Sequence, residues 1–223
     1  QEGGGKKILE RLKDPATRER MKANPKHMWL LVTDERWNDI ALLSSDENPD
    51  LVGETFADIG RMRNTSPFDA ALDLLLEEGE GAGGILWTSH SFNDDDIDLC
   101  LEQPECAVIS DTLALAPYGA LAKHVGSISG YGWAARFLGM YVRERNVLSL
   151  AEGVRRMTKL PAERLGLNDR GQLRAGPKAD ITVFDKTKIQ SHCTMKDPRA
   201  YASGIAHVLV NGQFAMRDFA RTD

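Results

Sequence analysis

The chain has 223 residues, of which 42% are apolar and 27% charged, and its formal net charge is −5. Such a composition excludes a disordered chain, and the length suits one large domain or two small ones at roughly 150 residues each. No apolar run approaches the ~20 residues of a bilayer crossing, and lysine and arginine are scattered instead of forming a nucleic-acid footprint. The opening QEGGGKK lacks the apolar stretch of a secretory signal. Three cysteines (Cys100, Cys106, Cys193) without C-x-x-C spacing fit a reducing compartment better than a disulfide framework. A cytoplasmic α/β protein is expected.

Residues 6–22 predict a polar helical hairpin with Pro15 opening its second helix. That is an odd way to begin a fold, so a fragment or processed chain is expected. Ile40–Leu43 reads as a short strand, and Thr55-Phe56-Ala57-Asp58 as a capping box. Ser66-Pro67 starts a stronger helix, whose Phe68, Ala71, Leu72, Leu75 and Leu76 fall on one face before Gly79 ends it. Gly84–Trp87 is the next strand candidate. The acidic run Asn93–Asp96 invites a calcium loop, but it lacks the glycine at the sixth position and the glutamate at the twelfth. Acids in a first helical turn, complementing the macrodipole, are the better reading.

Cys106–Ser110 has the composition of a buried strand, with Asp111 at its carboxyl end. After a long loop over 112–132, Trp133, Phe137, Met140 and Tyr141 mark a helical face. Ser149–Glu152 is a further capping box, with Leu150, Val154 and Met157 as the expected buried stripe. From residue 165 the character changes. Gly166, Gly171 and Gly176 punctuate short segments, Ala179–Phe184 reads as a strand, and Asn211-Gly212 signals a type I′ hairpin between His207–Val210 and Gln213–Met216.

Three pieces of this tail, in order, carry a resemblance: Met157-Thr158 with Pro161-Ala162, then Gly176 with Ala179-Asp180, and last Val208–Gly212. Together they resemble the carboxyl end of the amidohydrolase superfamily. Gly53–Ile59, Pro67–Leu75, Ser110-Asp111 and Tyr141–Glu144 are similar to the D-aminoacylase (N-acyl-D-amino-acid deacylase) branch. The likeness runs from about residue 6 to 219 and covers about the carboxyl-terminal half of such an enzyme. It implies an α/β chain made of the later part of a (β/α)8 TIM barrel, residues 1–164, plus a small β-sandwich segment, residues 165–223.

The resemblance also implies metal-assisted hydrolysis of a linear amide, an N-acyl-(D-)amino acid. In such chemistry a zinc-bound water gives its proton to an aspartate, which later protonates the leaving amine. Asp111 matches that aspartate, with Ser110 beside it and His124 in the following loop as substrate-binding residues. Where the branch carries His-Pro-Arg, the chain has His124-Val125-Gly126, so either Lys123 or Arg136 takes over the substrate-carboxylate clamp or the substrate is not an ordinary acyl-D-amino acid. His90 is a weaker candidate for the site mouth, and Cys100 and Cys106 are expected to pack as small apolar groups.

A catalytic zinc takes about three protein ligands. The five histidines (His27, His90, His124, His192, His207) form no H-x-H pair and no i, i+4 pair. Zinc is therefore expected in the full-length enzyme and not in this chain, which alone should be inactive. The expected partners are a small N-acyl amino acid and a missing amino-terminal half or a second copy, with no nucleic acid or membrane. Two other readings stand beside this one: a cyclic-amide hydrolase of the dihydropyrimidinase or dihydroorotase kind, and a non-catalytic half-barrel module.

Overall fold

A computed structural model describes residues 4–24, 30–80, 85–112, 116, 118–119 and 128–222. Contacts group the chain into two compact units, 1–93 and 94–223.

The first unit opens with the expected helical hairpin, α1 (Gly4–Lys13) and α2 (Pro15–Ala23). Asp14 caps α2 by accepting from the Ala16 and Thr17 N–H groups. The Thr17 hydroxyl on the same carboxylate lowers its pKa. A short helix α3 (Leu30–Thr33) leads to β1 (Ile40–Ser44), α4 (Phe56–Met62), α5 (Pro67–Glu77) and β2 (Leu86–Ser89). Thr55 and Ser66 cap α4 and α5 as their spacing predicts, each accepting from the N–H three residues on. Gly60 sits where α4 meets the start of α5: an added Cβ would lie 3.0 Å from the Thr65 carbonyl oxygen. Ile40, Leu42, Phe56, Ile59, Ala70, Leu74 and Ile85 form the core.

In the second unit α6 (Asp94–Glu102) carries Asp94, Asp95 and Asp96 in its first turn, as the macrodipole favours. Helix α7 (Ser129–Arg136) runs into a π-helical stretch, Phe137–Glu144, before α8 (Leu150–Met157) and α9 (Lys159–Arg164). Strands β3 (Ile181–Phe184), β4 (Ile205–Val210), β5 (Gln213–Arg217) and β6 (Ala220–Arg221) form an antiparallel sheet in sequence order. Asn211 and Gly212 both have positive φ, 51° and 80°, as a type I′ turn between β4 and β5 requires. Ile189, from the connection between β3 and β4, packs with Leu101, Phe137, Leu138 and Val142, so the β tail and the helices share one core.

Three expectations change. All described strand pairs are antiparallel, β1 with β2 included, so no parallel βα ladder forms among the described residues. Residues 106–110 are not a strand; no described strand lies alongside to complete a ladder, and an apolar run alone supplies no partner. The predicted stripes of two helices hold only in part: Leu72 of α5 is buried and Val154 and Met157 of α8 pack on the core as expected, but the deepest positions differ. Helix α5 buries Ala70 and Leu74 most deeply, because it is apolar around most of its circumference. Helix α8 buries Gly153 and Arg156, while Leu150 is exposed.

Candidate active site

The site candidate of the second unit is built from the segment that follows α6 and ends in Asp111. With no ladder to satisfy its carbonyls, this segment needs other donors. Arginines of α8 and α9 supply them. Arg156 Nη1 donates to the carbonyl oxygens of Gln103 and, at 2.8 Å, Cys106. Arg155 Nη2 donates to the Pro104 oxygen at 2.8 Å, and Arg164 Nη2 to the Glu105 oxygen at 3.1 Å. Four consecutive carbonyls thus each receive a guanidinium N–H. The Val108 N–H in turn donates to the Arg156 carbonyl oxygen at 3.1 Å, which ties the segment to the α8 backbone as well.

Arg156 is only 2% exposed, and a charge so buried needs a counter-ion. Glu152, one helical turn back, provides it: its Oε1 accepts from Arg156 Nε at 2.5 Å and from Arg155 Nη2 at 2.8 Å. Hydrogen bonds from Arg155 and then Arg156 pull the Glu152 carboxyl down to about 2.

Beyond the arginine clamp the chain emerges. Ile109 is exposed, Ser110 half-buried and Asp111 exposed, with Asp111 in the left-handed region at φ 41°. Aspartate tolerates that conformation, which turns the chain sharply at the end of the segment. No hydrogen bond or ion pair among the described residues engages the Asp111 carboxylate. The Thr112 hydroxyl oxygen is buried with no hydrogen-bond partner among them. Val108 and Ile109 form one wall of an apolar cavity of about 320 Å³, whose other walls include Ser129, Trp133, Arg136 and Tyr141. Burial raises the Tyr141 phenol above its ordinary range, and Asp94 adds to the shift.

Of the other residues singled out in the sequence, His124 and Lys123 lie outside the described residues. His90 belongs to the first unit; its side chain is exposed and its backbone N–H donates to the Asp39 oxygen at 2.8 Å. Cys106 is half-buried as expected, whereas Cys100 is exposed. Periodicity and composition alone do not point to the arginine clamp. Its one visible signal is Glu152 and Arg156 at i, i+4, with Arg156 three residues from Gly153 and four from Leu160, all three on the buried face.

Residues 113–216 match a family model described as the amidohydrolase family. An N-acyl-D-glutamate deacylase of Alcaligenes xylosoxydans xylosoxydans is 33% identical over 177 residues, covering 78% of the chain. The chain belongs to the amidohydrolase family, on its D-aminoacylase branch. A D-aminoacylase of the same organism is 31% identical over 166 residues, or 74% of the chain. Among solved structures, the N-acyl-D-glutamate deacylase of Bordetella bronchiseptica, complexed with zinc and a phosphonate mimic of the tetrahedral intermediate, is similar with a TM-score of 0.65. That match has 31% identity and covers 81% of the chain and 35% of the deacylase. A D-aminoacylase crystal structure also gives a TM-score of 0.65, at 25% identity, covering 82% of the chain and 36% of the enzyme. The chain spans about a third of the length of the curated relatives it matches, 33% and 31%.

A metal ion bound in these relatives would need a cluster of donors. Among the described residues of this amidohydrolase chain, no group of three or more His, Cys, Asp or Glu side chains is arranged to hold one. The donor set described here does not fit a catalytic zinc by itself.

Proposed function

We propose that this chain is the carboxyl-terminal portion of a metal-dependent amidohydrolase that removes the acyl group from an N-acyl-D-amino acid, with Asp111 as the proton shuttle. The observation that carries the proposal is the placement of Asp111: exposed, on a sharp turn, at the end of an arginine-clamped segment that walls an apolar cavity. An exposed carboxylate at the end of a fixed segment is free to meet substrate.

In this reading the Asp111 carboxylate accepts the proton of the attacking water as its oxygen bonds to the amide carbon. It returns that proton to the nitrogen as the carbon–nitrogen bond breaks, leaving a carboxylate and a free amine. Arg136, on the cavity wall, takes the substrate carboxylate in place of the arginine that Gly126 displaces from the branch pattern. Ser110 and His124 would complete the pocket. Zinc belongs to the complete enzyme and is held by residues outside those described.

The same reading divides the complete enzyme's architecture into a barrel part, residues 1–164, and a β-sandwich segment, residues 165–223. The part of the enzyme beyond this chain, or a second copy, is the expected partner of the barrel part. No described helix is long and apolar enough to cross a membrane, and the cysteine usage fits the cytoplasm.

The test is a substrate panel for the complete zinc-loaded protein: N-acetyl-D-glutamate, N-acetyl-D-aspartate, N-acetyl-D-leucine, their L enantiomers and a dihydropyrimidine. Release of the free D-amino acid from at least one linear amide is expected. Hydrolysis confined to the cyclic amide, or none at all, would contradict the proposal.

A further inference from the structure

The geometry points to Arg156 as the positioning residue for Asp111: it is the buried side chain of helix α8 that bridges two carbonyls of residues 103–108 and so sets the place where Asp111 emerges. The inference rests on the reading of Asp111 as proton shuttle.

The residues 106–110 lack the parallel ladder that would ordinarily align a strand-end carboxylate. Arg156 takes over that role at three points. Its Nη1 bridges the Gln103 and Cys106 carbonyl oxygens, its carbonyl oxygen accepts the Val108 N–H, and its Nε is locked by Glu152. Only two residues, Ile109 and Ser110, separate Val108 from Asp111, so a shift of the bridge passes to the carboxylate with little slack. A planar guanidinium can serve two carbonyls and a carboxylate at once; a lysine ammonium, a point charge on a flexible stem, cannot hold the same fork. Arg155 and Arg164 each reach one carbonyl from more exposed positions and add to the clamp without setting it. A misplacement of about an ångström at a catalytic group costs on the order of a hundredfold in rate, so the loss of such a bridge is visible in kcat.

The experiment compares Arg156→Lys with wild type in the complete enzyme. The expected result is a fall in kcat of about tenfold or more with KM changed less than about threefold, and a displaced acidic limb of the kcat–pH profile. Zinc content should be unchanged. Amide exchange at residues 106–112 should quicken while that of 133–144 holds. If Arg156→Lys does not fold, Glu152→Gln, which releases the same guanidinium from a half-exposed site, should give the same exchange pattern and a smaller loss of kcat.

A folded Arg156→Lys with kcat within twofold and an unmoved pH profile would overturn the inference, as would faster exchange spread evenly over the whole unit. In the Glu152→Gln arm, unchanged exchange at 106–112 would do the same. Asp111→Asn, measured alongside, separates the two claims. Turnover retained there defeats the shuttle reading itself; turnover lost there but intact in Arg156→Lys defeats only the positioning role.

Discussion

The Val108 N–H donates to the carbonyl oxygen of Arg156 at 3.1 Å, although 48 positions separate the two in the chain. That bond and the Arg156 side chain replace the strand ladder that the composition of 106–110 suggests. A candidate catalytic segment is therefore held by a helix end and three arginines, and its stability is tied to charge.

Removing that charge should be costly. Arg156→Met keeps the stem but leaves the Gln103 and Cys106 carbonyls without donors and Glu152 without one of its partners. A loss of about 2–4 kcal/mol is expected, within the range for breaking a buried charged network. Urea unfolding of the variant checks it; a change under about 1 kcal/mol would mean that the segment finds other donors.

The clamp should also carry an acid signature. The Glu152 carboxyl is held at about 2, against 4.5 for an unperturbed glutamate, by hydrogen bonds from Arg155 and then Arg156. A depressed folded-state value adds stability that is complete above about pH 4.5 and lost as pH falls toward 2. Glu152→Gln should therefore flatten the stability–pH curve between those limits and leave its slope above pH 5 unchanged. An unaltered acid limb in urea titrations would show that the pair does not contribute.

Gly204 is a sharper test of the β tail. Its φ is +82°, and an added Cβ would lie 2.5 Å from the Ile189 backbone nitrogen, in the residue that joins the tail to the helical core. Gly204→Ala should destabilise by about 2 kcal/mol or more, combining left-handed strain with a backbone clash. A thermal midpoint within a degree of wild type would contradict this packing.

Much of the fold was legible in the sequence where local chemistry decides it. Thr55, Ser66 and Ser149 cap their helices through the N–H three residues on, and Asn211-Gly212 turns its hairpin. The acidic start of α6 and the helical hairpin at Pro15 were equally local. What failed depends on partners far along the chain. Cys106–Ser110 has a strand's composition but no described strand to pair with, and the stripe that periodicity predicts for α8 includes Leu150, which is exposed while Gly153 and Arg156 are buried. Arginine ordinarily marks a solvated helix face; its burial here becomes visible only once the carbonyls of 103–106 are seen to need donors. Asp111 and Arg136 are site candidates that rest on family likeness and position; the arginines that hold Asp111's segment in place were not legible.

The most direct measurement is turnover of a linear N-acyl-D-amino acid by the complete zinc-loaded enzyme carrying Asp111→Asn, with metal content determined on the same sample. The substitution keeps size and polarity but removes the carboxylate proposed to accept and return the proton. Turnover should fall about a thousandfold or more with the metal retained, within the range for loss of general acid–base catalysis. Turnover within tenfold of wild type would contradict the assignment of Asp111.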